Sequence, residues 1–265
     1  MKKALLIISI VIAIVLIILC SIGIYIHVTQ KIENPIATIK FQGYDEEVKI
    51  ELYPEYARNT VTNFIALANN EFYNGLKIHR VEESLIQGGD PEGTGSGSPK
   101  LSALNKSIEK DSEADKEYAI PGEFIKNGYE NTLKFESGVI GMARGDYSQY
   151  SSGLEEKSYN SAGSQFFILT ENMNSLNGSY CAFGKVISGL DTVIAISKVE
   201  TAVDESTDEE TKEVTKTETT RPKEDVIIES LTIDTRGIEY GMPETNEVFD
   251  FTSWYMKKYY GGALN

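Results

Sequence analysis

The chain is poor in the residues on which many enzymes build reactive centres. It has two histidines, His27 and His79, and two cysteines, Cys20 and Cys181, in 265 residues. So few histidines cannot furnish a histidine-built metal site, and a Ser-His-Asp triad could be completed only through His79. His79 reads more simply as a packed or hydrogen-bonded residue, and no metal or cofactor is expected. Cys20 lies in an apolar leader, so no disulfide is expected inside the folded body. Basic charge is scarce too: 25 Lys and Arg face 40 Asp and Glu, for a net charge of −15. Lys2 and Lys3 precede the leader, which leaves the rest of the chain more acidic still. Nucleic-acid binding needs a basic footprint and is therefore not expected.

Long apolar runs are absent except at the start. Residues 4–26 carry no charge. As a helix they would span roughly 34 Å, enough for a bilayer core. The basic residues ahead of them favour a cytoplasmic amino terminus and an extracytoplasmic body. The expectation is a membrane anchor over residues 1–28, with 29–34 as a tether. A cleaved signal peptide is the rival, although its apolar core is normally shorter, about 7–15 residues. Lipid attachment at Cys20 is a third reading, disfavoured by the large Leu19 before it.

What is present beyond the leader is β-type alternation. Residues 36–42 place Ala37, Ile39 and Phe41 on one face, and 47–53 place Val48, Ile50 and Leu52. Tyr44-Asp45 joins them. Ala57, Val61, Phe64, Ile65 and Ala68 fall at helical spacing. Strands follow at 76–81, from Leu85 onward, over 138–144, in the run ending at Thr170, over 180–186 and over 226–233, with a second helix at 190–196. Three stretches look inserted: 100–117, polar and mixed in charge; 145–158, rich in Ser, Tyr and Glu; and 200–220, rich in Thr, Glu and Lys. The last has almost no apolar residue and is expected to be a mobile loop. Residues 235–265 form an aromatic carboxy-terminal extension, expected as a helix packed on the body; its sharper reading is a contact for a partner or a membrane surface.

Two blocks organise all this. The first, IHRVEESLIQGGDPEGTGSG, runs from Ile78 to Gly97 and holds Arg80 and, seven residues on, Gln87. The second, NSAGSQFFILT, runs from Asn160 to Thr170 and holds Gln165 before two aromatics. One fixed cation, two amides and an apolar floor would hold a peptide; the parts for cutting one are missing. The glycines after Gln87 lack the Lys-Ser/Thr of a phosphate loop and lead into no apolar helix.

HRV…QGGDPEGTG and NSAGSQFFI resemble the two signature blocks of the cyclophilin-type peptidyl-prolyl cis-trans isomerases. The likeness runs, with interruptions, over about residues 35–234. It implies a mostly β fold: a closed eight-stranded antiparallel barrel capped by two helices. It also implies roles: Arg80 as the catalytic arginine with Gln87 beside it, and Phe167 flooring a proline pocket walled by Leu176, Leu85, Tyr180 and Met142 or its neighbours. Gln165, Ala143 and Arg144 would line the groove for residues before the proline. The implied partners are proline-containing polypeptides.

Three departures stand out. Arg80 and Gln87 are seven residues apart where the family usually has eight. Tyr180 and Phe135 stand where many members carry histidine. Ser175 replaces the tryptophan of cyclosporin-sensitive members, so weak binding of that drug is expected.

The chemistry needs no nucleophile. An X–Pro bond crosses between isomers over about 18–20 kcal/mol because rotation breaks amide resonance. In the twisted form the proline nitrogen gains lone-pair character. A guanidinium can donate to it and cannot lose its proton at neutral pH. The rate comes from holding the twisted form better than the planar one. The alternative function is a peptide-binding module or chaperone at the cell surface, in which the shortened Arg80–Gln87 segment has weakened or abolished turnover.

Overall fold

The computed structural model describes residues 12–21, 33–207 and 214–261. It separates into two units, residues 1–33 and 34–265. In the first, residues 12–21 are helical (α1), with their large apolar side chains exposed. The predicted span over 4–26 reaches beyond the described residues on both sides. Among the described residues, no helix is long and apolar enough to cross a membrane.

The second unit is built on a closed barrel. Its strands are β1 (Ile36–Phe41), β2 (Val48–Leu52), β3 (Lys77–Glu82), β4 (Leu85–Gly88), β6 (Val139–Met142), β7 (Phe166–Leu169), β8 (Cys181–Ser188) and β11 (Val226–Asp234). They close in the order β1-β11-β3-β4-β7-β6-β8-β2. Every neighbouring pair is antiparallel. Closure leaves the barrel no free strand edge.

Helices α2 (Arg58–Asn69) and α4 (Leu190–Ser197) cap it. Helix α2 drives Phe64 into the barrel, where its ring meets Phe166 at 5.8 Å and Phe183 at 5.3 Å, both edge-on. Phe41, Tyr73, Ile39, Ile50 and Leu52 complete a core from which water is excluded. The amino end of α2 has Ala57 as its cap residue and no side-chain cap of its own. The carboxylate of Glu123, distant in sequence, accepts from the backbone N–H groups of Asn59 and Thr60 at 3.0 and 2.7 Å. It thereby satisfies two donors that the helix cannot pair internally and puts negative charge at the positive end of its dipole.

The stretches 100–117, 145–158 and 200–220 take distinct forms. Residues 100–117 wrap around Asp115, whose buried carboxylate accepts from the backbone of Ser102 and Asp111, both at 2.8 Å. Residues 145–158 lead into a short helix, α3 (Glu155–Tyr159). The expectation of a mobile loop over 200–220 is corrected: strands β9 (Thr201–Thr207) and β10 (Val214–Pro222) pair as an antiparallel hairpin. Its stability comes from β-branched Thr and Val and from cross-strand charge rather than from apolar burial. Lys216 meets Glu205 at 2.7 Å and Arg221 meets Asp204 at 2.8 Å. Low hydrophobicity excluded a core here, but it did not exclude a ribbon leaning on β3.

After β11 the chain crosses the body. Glu244 exchanges two hydrogen bonds with the side chain of Asn59, at 2.7 and 3.0 Å. Strand β12 (Asn246–Glu247) then pairs with β5 (Tyr118–Ala119). The chain ends in helix α5 (Phe251–Tyr260), whose carboxy-terminal neighbour Gly261 adopts φ +65°. This helix packs on the 145–158 stretch rather than on barrel strands.

Candidate functional site

The barrel separates two faces by the period of its strands. Successive side chains alternate, so one set fills the interior and the other points out. On β7, Phe166 and Ile168 join the main core, while Phe167 and Leu169 belong to a second apolar cluster outside the barrel wall. On β4, Ile86 faces in and Leu85 and Gln87 face out. On β3, Arg80 and Glu82 share the outer face. The pairing places Arg80 opposite Gln87, and Gln87 opposite Phe167. The short turn at Glu83-Ser84 therefore keeps arginine and glutamine side by side despite the missing residue.

A directed chain of hydrogen bonds runs along this face. Arg80 donates through Nη1 to Gln87 Oε1 at 3.0 Å. Gln87 Nε2 donates to Gln165 Oε1 at 3.0 Å, and Gln165 Nε2 donates to the carbonyls of Gly97 and Gly95 at 3.0 and 3.1 Å. Because a guanidinium can only donate, it dictates the orientation of both amides. The other edge of the guanidinium is held by Glu82 Oε1, 2.8 Å from Nε and 2.5 Å from Nη2. Glu82 was not singled out from the sequence; its position two residues from Arg80 on one strand was the available clue.

The two signature blocks are locked together behind this chain. The buried carboxylate of Asp90 accepts from the backbone N–H of Glu92, Thr94 and Gly95 at 2.8, 2.9 and 2.5 Å. Burial by itself would raise its pKa; these donors and Gly97 outweigh that and hold it below the usual carboxylate value. The turn so fixed presents the Gly95 and Gly97 carbonyls to Gln165. Gly89 has φ +85°, and a Cβ there would lie 2.5 Å from the Ser164 carbonyl oxygen, so only glycine fits. Ser164 returns a hydroxyl hydrogen bond to the Gly89 carbonyl at 2.6 Å. His79 is buried with neither ring nitrogen hydrogen-bonded, and burial, with Arg80 adding, pushes its pKa down against the opposing pull of Asp90.

Beside Arg80 lies a shallow cavity of about 220 Å³. Phe167 floors it, with Leu85, Leu176, Tyr180 and Ala143 around the wall. Phe167 is stacked on Phe135 at 5.7 Å and meets Tyr180 edge-on at 6.0 Å. Gly141 makes room for the stack: a Cβ there would stand 2.5 Å from Phe167 Cζ and 2.7 Å from Phe135 Cε1. Met173 also lines the cavity and was missed, because it lies in the loop after β7 where no periodicity operates. Its backbone N–H donates to the Phe135 carbonyl at 2.8 Å, which ties that loop down.

Met142 does not belong to the wall. It is buried in the main core, because on β6 the alternation sends Ile140 and Met142 inward and Val139 and Ala143 outward. Ser175 lies in the tight turn Asn174–Leu176 beside the cavity. Arg144 is held by its own fold: it donates to the Ser179 and Gly145 carbonyls at 3.1 and 3.0 Å, with its guanidinium 4.5 Å from the Tyr180 ring centre. It stands between the small cavity and a larger one of about 430 Å³, and Gln87 and Ala143 also line both. Gln165 lines the larger one.

Fold and groove together define a class: a closed antiparallel barrel with a clamped guanidinium over an apolar outer pocket, suited to an extended peptide. Comparisons place it among known proteins. The profile of the family described as cyclophilin type peptidyl-prolyl cis-trans isomerase/CLD matches residues 36–233. Peptidyl-prolyl cis-trans isomerase B of Bacillus subtilis is 38% identical over 146 residues, covering 55% of this chain and 79% of that protein. The human peptidyl-prolyl cis-trans isomerase-like 3 is 32% identical over 189 residues, covering 71% of this chain and 89% of the relative. A crystal structure of a Cryptosporidium parvum cyclophilin type peptidyl-prolyl cis-trans isomerase, in the presence of the dipeptide Ala-Pro, superposes with a TM-score of 0.53 at 25% identity, over 75% of this chain and 98% of that one.

The chain belongs to the cyclophilin-type peptidyl-prolyl cis-trans isomerases.

Proposed function

We propose that this protein accelerates cis–trans exchange of X–Pro bonds in polypeptides folding after export, with Arg80 stabilising the twisted amide. The observation that carries this reading is the clamped guanidinium at the edge of the Phe167 cavity. Glu82 and Gln87 take three of its five donor positions, and Arg80 itself lines that cavity. The proline ring enters over Phe167. The guanidinium donates to the proline nitrogen as its lone pair develops, an interaction weak in the planar amide and strong in the twisted one. Gln87 and Gln165 orient the neighbouring peptide units. Ala143, Leu85, Leu176 and Tyr180 exclude water. The relative crystallised in the presence of Ala-Pro supports a proline peptide as the ligand.

The charge-free stretch over residues 4–26 supports an anchor that holds the barrel outside the cell membrane; secretion or lipid attachment after cleavage is the competing outcome. Protease shaving of intact cells decides the side: loss of the barrel places it outside, and survival overturns the export reading. Ser175 supports weak cyclosporin binding.

The test of turnover is NMR exchange on a proline tetrapeptide with the full chain, which needs no coupled protease. Wild type should accelerate exchange, and Arg80→Ala should lose about 10²–10³-fold, the cost of removing one preorganised transition-state donor. A wild type that binds the peptide without accelerating exchange makes the groove a recognition site and ends the isomerase reading.

A further inference from the structure

Two stretches outside the family core meet beside the groove. Tyr147, from the 145–158 stretch, lies parallel to Phe251 of α5, with ring centres 5.2 Å apart and planes 12° apart. Tyr150 also meets Phe251, with ring centres 4.7 Å apart and the planes tilted by 49°. The helix start is set by Asp250, which accepts from Ser253 N at 2.8 Å. Its far end is pinned by Tyr259, donating to the Tyr150 carbonyl at 3.2 Å, and by Lys258, donating to Ser151 Oγ at 2.8 Å. This aromatic layer is no part of the barrel core. Tyr147, Phe251 and Thr252 instead face the 430 Å³ cavity.

Gly95, Gly97, Gly145 and Gly163 are among the residues that line that cavity. A Cβ on Gly145 would fall 2.7 Å from Tyr147 Cζ, and one on Gly163 would fall 2.6 Å from Pro99 Cδ. The Tyr147 ring therefore packs directly on the Gly145 backbone. Among the described residues, the hydroxyls of Ser96, Ser98 and Thr252 on its lining make no hydrogen bond within the protein. It shares Gln87, Ala143 and Arg144 with the Phe167 cavity. The resemblance puts residues before the proline along Gln165, Ala143 and Arg144, which line this cavity, so a peptide with proline over Phe167 would bring one of its preceding residues into it.

We infer that the carboxy-terminal segment is a specificity wall: Phe251 and Tyr147 select an aromatic side chain, tyrosine foremost, shortly before the proline. This rests on the isomerase reading above. Tyr147 and Phe251 offer ring contacts to an aromatic side chain, and its phenol finds the hydroxyls of Ser96, Ser98 and Thr252. The acidic body adds no anionic group to the cavity lining.

The test measures kcat/KM by NMR exchange for peptides carrying tyrosine or alanine at each of the three positions before proline, using the full chain. An aromatic contact of about 0.5–1.5 kcal/mol corresponds to roughly 2- to 12-fold. Wild type should prefer tyrosine by that factor at one position. Phe251→Ala should bring the ratio near one. Thr252→Trp, an exposed position that blocks the cavity without entering the stacked layer, should do the same even if Phe251→Ala disturbs the helix. Tyr260→Ala, at the exposed end of α5, should keep the wild-type ratio. An active wild type with no preference at any position overturns the inference alone, as does a preference that survives both Phe251→Ala and Thr252→Trp. A wild type inert toward every peptide removes the isomerase reading and the inference with it.

Discussion

Replacing Gly141 with alanine probes the floor of the pocket through a residue that touches no substrate. The added Cβ would stand 2.5 Å from Phe167 Cζ and 2.7 Å from Phe135 Cε1. Carbon atoms settle about 3.5–4.0 Å apart, so the stacked rings must give way by about 1 Å. Phe135 is fully buried and Phe167 nearly so, which leaves displacement toward the groove as the open route. Overpacking of this kind costs about 1–3 kcal/mol. In a domain of this size that lowers Tm by roughly 2–4 °C per kcal/mol, so a fall of about 2–12 °C is expected in a thermal melt. The same displacement moves the pocket floor relative to Arg80, and a misplacement of about 1 Å can cost up to about 10²-fold in turnover. Phe167→Leu in the same chain shortens the colliding side chain. The double variant should therefore melt above Gly141→Ala, while turnover stays low because the proline floor is gone. Gly141→Ala with unchanged Tm and undiminished kcat/KM would refute the contact. A double variant whose losses simply add would refute the assignment of strain to this ring.

Further outcomes test neighbouring parts. Glu82→Gln removes the charge that holds Arg80 but not its shape; kcat should fall by about tenfold, the scale of one charge-assisted hydrogen bond, with KM little changed. Equal loss in Arg80→Lys and Arg80→Lys/Glu82→Gln would show that Glu82 acts through Arg80. The Cys181 thiol is pushed up to about 12 by burial, so at pH 8 it is protonated and enclosed. Alkylation of the native protein should spare it until denaturant is added, and fast native labelling would contradict its position. His79 has a folded-state pKa lowered from 6.5, chiefly by burial, so the unfolded chain binds its proton more readily. Its stability contribution is present above about pH 6.5 and lost as pH falls through the window below it. Chemical denaturation from pH 7.5 to 5 should show that loss, and His79→Phe should remove this component of it.

Much of the barrel was legible because strand period and the two signature blocks are local properties. Alternation at 36–42 and 47–53 marked β1 and β2, and helical spacing marked α2 within a residue or so. The hairpin over 201–222 was not legible, because low hydrophobicity reports the absence of a core and says nothing about cross-strand charge pairs. Arg80, Gln87, Phe167 and Gln165 could be named from motif resemblance, but their order along one face depended on register. Met142 shows the limit: it ends β6 next to Ala143, and only the direction of the pleat separates core from groove. Met173 and Phe251 reach the two cavities from a loop and from the carboxy-terminal helix, and Glu82 reaches Arg80 from a neighbouring position on β3, contacts that no periodicity encodes.

The sequence by itself determined the barrel strands and the helix α2, the net negative charge and the two blocks that carry the site, because composition and period are written residue by residue. Tertiary structure alone decided that Glu123 caps α2, that Gly141 yields its space to Phe167, and that a tail of aromatics becomes a wall of the groove. Those facts depend on which distant atoms arrive within a few ångströms of one another, and burial geometry, not local preference, sets that distance.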